Sequence, residues 1–182
     1  MTVQFRFERA FDARVWEVAA PAMPTRLLTW KLAEDPVDAG PPEAVAAPLA
    51  AALAGLGRVV FAEKEPANDQ AVFGAIRLPG ILGATTALVL ADEAAGVRGA
   101  FEATGHDWSQ AAQWIVVLER SAPASEALTA FIQSLYADWE IPATWPNAVV
   151  AVVKAGVDGD AAGITARSED VLDRLEAALA PA

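Results

Sequence analysis

Along the first strand-like segment, Val3, Phe5 and Phe7 alternate with Gln4, Arg6 and Glu8. This period of two belongs to a β-strand with one buried face. Phe11 and the Val15-Trp16-Val18 group suggest a continuation after a break at Asp12. The Pro21 to Pro24 interval then interrupts regular backbone, because proline lacks the N–H donor and restricts the residue before it. Thr25 to Leu32 fits a short strand or a helical turn, with strand favoured. Further strands are expected at 58–65, 72–78, 85–90 and 97–104, with a turn at Pro79-Gly80. Val149, Val150, Val152 and Val153 mark a strand over 148–155, and GVDGDAAG turns the chain into a returning strand at 163–167.

Four segments have helical spacing. Val45, Leu49, Leu53 and Leu56 form a stripe over 43–56, after Pro41-Pro42 and before Gly57, with Pro48 inside it. After Gly105 the period changes. Asp107 and Gln110 have capping-box spacing, and Ala111, Trp114, Ile115 and Leu118 would share one face of a helix over 107–120. The run Ile115 to Leu118 also reads as a buried strand. Between Ser125 and Glu140, Leu128, Phe131, Ile132, Leu135 and Trp139 follow a 3.6-residue period, with Tyr136 at the edge of that face. Ser168 is positioned to cap a last helix, with Glu169 and Asp170 near its positive end. Val171, Leu172, Leu175, Ala178 and Leu179 form its packing face.

These elements predict an α+β fold: an antiparallel or mixed β-sheet covered on one face by the helices at 107–120, 125–140 and 168–180. A two-layer arrangement is favoured over a three-layer one. The 182 residues are expected to form one globular domain over 1–182, since a chain of this length buries roughly 70% of its unfolded surface.

Charge narrows the partners. Thirteen basic against 24 acidic side chains give a formal charge of −11, and the three lysines, Lys31, Lys64 and Lys154, form no run. Such a surface repels nucleic acid and anionic lipid, so neither is an expected partner. The absence of cysteine removes thiol nucleophiles, cysteine-ligated metals and disulfides. Arg6, Glu8 and Arg9 break any apolar run at the start, so no signal peptide or membrane span is read there and a cytoplasmic location is expected.

Candidate chemistry is sparse. His106 is the sole histidine; it sits in GHDW between an expected strand and an expected helix, where Asp107 and Glu102 can supply carboxylates for general acid/base catalysis. Asp107 serves equally as a helix cap. Glu63 and Glu65 share a strand face interrupted by Lys64, and Asp158-Gly159-Asp160 lacks the remaining ligands of a calcium loop. There is no nucleophile elbow, phosphate loop or dinucleotide fingerprint. No cofactor and no metal are expected. Six tryptophans offer aromatic surface. Trp114 and Trp139 fall on helix packing faces, whereas Trp108 and Trp145 fall at transitions where a ring can border a patch or pocket, joined by Tyr136. The expectation is a non-catalytic intracellular binding or interaction protein whose partner is a protein or small-molecule ligand, with a homodimer compatible with its amphipathic helices. A small enzyme using His106 is the alternative.

Overall fold

A computed structural model describes residues 3–11, 23–32, 42–63, 87–91, 94–95, 98, 114–123, 125–137, 141–155 and 161–180. In chain order the elements are β1 (Val3–Glu8), β2 (Thr25–Leu32), α1 (Pro42–Leu56), β3 (Arg58–Glu63), β4 (Ala87–Ala91), β5 (Trp114–Leu118), α2 (Glu126–Ala137), β6 (Val149–Ala155), β7 (Ala161–Ala166) and α3 (Glu169–Leu179). The seven strands form one sheet in the order β1-β2-β7-β6-β5-β3-β4. Every described pairing is antiparallel. The fold is thus α+β, with an antiparallel sheet.

The helices occupy both faces, which departs from the expected one-sided, two-layer cover. Leu28, Trp30, Ile115, Val117, Val153 and Ile164 pack with Leu49 and Leu53 of α1 and Leu172 and Leu175 of α3. Trp114, Val116, Leu118 and Val152 pack instead with Leu128, Phe131, Ile132 and Leu135 of α2. Consecutive strand residues point to opposite faces, so the alternation along β5 places α1 and α3 on one side and α2 on the other. All five residues of β5 and all six of β7 are buried.

The helix expected over 107–120 is corrected at its second half. Residues 114–118 are the strand β5, hydrogen-bonded between β3 and β6. Three consecutive β-branched side chains, Ile115, Val116 and Val117, suit the pleated surface, and burial on both faces removes the alternation that would have identified a strand. The capping-box positions Asp107 and Gln110 lie outside the described residues. Arg98, in the expected strand over 97–104, is helical, as are Ala94 and Ala95. The candidate strands at 72–78 and around Val15 also lie outside the described residues.

The other helices start and pack for legible reasons. The Leu128 amide donates to Ser125 Oγ at 3.2 Å, a side-chain cap for α2. Ser168 holds the corresponding position on α3 with extended backbone but makes no side-chain cap. Val171, Leu172, Leu175 and Leu179 are buried as expected, while Ala178 is exposed. Pro48 lies on the exposed side of α1. Gly57 follows α1 because the chain passes β5 there: an added Cβ would collide with the Leu118 carbonyl oxygen. No described helix is long and apolar enough to cross a membrane.

Candidate functional site

Among the described residues two polar constellations interrupt the apolar faces of the sheet, one on each side. On the α1/α3 face, Arg26 shares its strand phase with Leu28 and Trp30, so its side chain enters the core and is 1% exposed. One turn apart along α3 stand Glu169, Asp173 and Glu176. Arg26 Nη1 donates to Glu176 Oε2 at 2.6 Å, and Nη2 donates to Glu169 Oε2 at 2.9 Å and to Asp173 Oδ1. Arg9, beyond the end of β1, donates to Asp173 Oδ1 at 3.3 Å and lies 3.8 Å from Glu176.

The electrostatics of this cluster are self-consistent. Burial lowers the Arg26 pKa, but the hydrogen bonds to Asp173 and Glu169 and the charges of Asp173 and Glu176 outweigh it, so the net shift is upward. The hydrogen bond from Arg26 holds the Asp173 carboxyl below the usual range against an opposing desolvation, with the Arg26 and Arg9 charges adding to the decrease. A permanently charged guanidinium paired with ionised carboxylates docks a helix; it offers neither a nucleophile nor a mobile proton.

On the α2 face the row of directly paired residues runs Trp114, Lys154, Gly163, Leu27 across β5, β6, β7 and β2. Lys154 is 8% exposed and Trp114 is fully buried. The Lys154 Nζ lies 5.1 Å from the centre of the Trp114 ring, a cation–π geometry, and Lys154 makes further interactions as well. Gly163 places no side chain beside the lysine, and its neighbours on this face of β7 are Ala161 and Thr165. Thr165 Oγ1 is 3.0 Å from Thr25 Oγ1. Among the described residues the buried Trp114 Nε1–H has no hydrogen-bond acceptor. Leaving such a donor buried and unpaired costs about 1–3 kcal/mol; among the described residues Arg26 Nε, on the opposite face, is likewise buried without an acceptor.

The residues singled out from the sequence fall elsewhere. Glu102, His106, Asp107 and Trp108 lie outside the described residues. Tyr136 belongs to α2, but its side chain lies outside them too. Trp145 is 7% exposed, donates its indole N–H to the Pro142 carbonyl at 2.8 Å, and meets Phe131 edge-on at 5.8 Å, so it is packed as a core residue. Among the described residues no group of three or more His, Cys, Asp or Glu side chains is placed to hold a metal ion.

Sequence reasoning passed over Arg26 and Lys154. Both carry a readable signal: a charged residue in phase with core-facing neighbours, Leu28 and Trp30 for the first and Val152 for the second. The acidic spacing 169, 173, 176 on the last helix was the matching half of the Arg26 signal.

No protein-family model, curated protein or solved structure matches this chain significantly.

Proposed function

We propose that the protein is a non-catalytic binding protein of the cytoplasm that recognises a ligand through an aromatic site on the α2 face of the sheet, with Trp114 as its central aromatic residue. One observation carries the reading: a fully buried indole N–H without an acceptor among the described residues. Buried donors in native proteins nearly always have partners, and a bound molecule supplying an oxygen would complete this one. An interior position favours a small molecule over a protein surface as the occupant, because flat protein partners engage exposed area. The charge of −11 continues to disfavour nucleic acid and anionic membrane as partners.

Native mass spectrometry of protein purified from its source cells tests this. The expected result is a mass above that of the polypeptide, returning to the polypeptide mass on denaturation. A bare native mass, together with no thermal stabilisation by any compound in a metabolite library, would contradict the reading. His106→Ala is expected to leave the bound mass in place, because binding does not use acid/base chemistry; a substrate that accumulates intact on H106A while wild type converts it would instead favour an enzyme.

A further inference from the structure

We infer that β1 is an interface for a second copy of this chain: two β1 strands pair antiparallel across a two-fold axis, with Arg6 of each facing Glu8 of the other. The inference stands independently of the ligand reading above. β1 and β4 end the sheet, and among the described residues β1 pairs with β2 alone. Alternate residues of an antiparallel strand direct their N–H and C=O groups away from the neighbour already present, so an end strand is a template for another.

Natural sheets blunt such edges with proline, lysine or a bulge. β1, VQFRFE, has no proline and no lysine, and its six residue pairs with β2 run without the register shift that occurs between β5 and β6. Val3, Phe5 and Phe7 are only partly buried against the α1/α3 apolar cluster, so that core is open at this end of the sheet. One more strand would cover it. On the opposite face of β1 stand Arg6 and Glu8, 3.8 Å apart, with side chains 80% and 36% exposed.

Charge selects the occupant and the register. Two copies carrying −11 each repel at long range, so their contact needs opposite charges where they touch. A two-fold axis makes that contact isologous: whatever faces Arg6 is itself faced by Arg6 of the other copy. Facing residues of an antiparallel pair share one side of the sheet, so the axis passes through a residue of β1 and its own equivalent. Centring on Arg6 opposes like charges. Centring on Phe5 gives Arg6 the neutral Gln4 and leaves Glu8 beyond the overlap. Centring on Phe7 sets Arg6 against Glu8 twice and Phe7 against Phe7, and cross-strand pairs of both kinds are favourable. A second copy brings this alternation of charge and ring by construction.

Sedimentation equilibrium of the full chain over a range of protein concentrations tests the inference. The wild type is expected to show a reversible monomer–dimer equilibrium. Arg6→Glu puts like charges at both contacts and should weaken the dimer about tenfold or more, and Glu8→Arg should do the same. The double variant R6E/E8R exchanges the charges, restoring both contacts and the net charge, and should recover most of the wild-type affinity. Lys31→Glu is the control: this exposed residue faces Gln4 on the β2 side, and its replacement changes the net charge as R6E does without touching the contact, so it should weaken the dimer far less.

A wild type that stays monomeric at every concentration would overturn the inference and leave this edge to another protein. So would R6E weakening the dimer no more than K31E does. A dimer that R6E and E8R each weaken but that the double variant does not restore would overturn the facing of Arg6 and Glu8. Wild-type circular dichroism of each variant separates a lost contact from a lost fold, and the wild-type measurement needs no variant at all.

Discussion

Arg26 illustrates how one residue can set the docking of an element. Its guanidinium is almost wholly enclosed, yet its three carboxylate partners are 42–64% exposed. Replacing it with methionine keeps much of the stem and strands no charge in the core, since the carboxylates can rehydrate. The expected cost is therefore below that of breaking a fully buried pair, about 2 kcal/mol, measured by urea unfolding of R26M. Asp173 sets a pH dependence whose sign follows from its lowered pKa. A carboxyl held below its unfolded value contributes stability that is complete above the ordinary carboxylate range and is lost as pH falls through its folded pKa. Urea midpoints for Asp173→Asn measured across the acid range should accordingly show a shallower loss than wild type; an unchanged acid limb would mean that the Arg26 contact does not stabilise the fold. Gly57 is demanded by contact with β5. Gly57→Ala drives a methyl group into the Leu118 carbonyl, and backbone must move on one side or the other. A loss of about 3 kcal/mol in urea unfolding is expected, at the upper end for an overpacked site.

At the scale of elements, the strands with one half-exposed face, β1 above all, were legible because alternation survives in the sequence. So was α2, whose Leu128, Phe131, Ile132 and Leu135 are buried as their spacing predicts, while Trp139 lies outside the described residues. β5 was legible only as an alternative, since burial on both faces erases alternation and leaves a run that helix and strand share. Sidedness was not legible at all: an amphipathic stripe tells a helix to bury one face but not against which side of a sheet. The separation of α2 from α3 by the sheet makes a quantitative prediction. Leu135→Ala and Leu172→Ala each empty space in a different apolar cluster and should each cost about 3 kcal/mol. The double variant should be additive within about 0.5 kcal/mol. A coupling well beyond that in a double-mutant cycle would place the two leucines in one shared layer.

For the whole molecule, the sheet separates a charged docking cluster under α3 from the donor pair on the α2 face. The sequence signalled aromatic recognition through Trp108, Trp145 and Tyr136, while the described structure spends Trp145 on packing and leaves Trp114 with the unmet hydrogen bond. That difference was hidden because a buried tryptophan and a ligand-binding tryptophan have the same hydrophobic signature; only the fate of the N–H distinguishes them. The most direct measurement is the ¹⁵N–¹H indole spectrum of the six tryptophans, with Trp114 assigned by its disappearance in W114F, recorded on protein as purified from its source cells and again after denaturation and refolding free of small molecules. The Trp114 resonance should lie further downfield in the protein as purified, where a bound molecule gives its N–H an acceptor, while that of Trp145, already bonded to Pro142, is the same in both samples. A Trp114 signal identical in the two samples, or differing no more than that of Trp145, would contradict the assignment of this indole to ligand recognition.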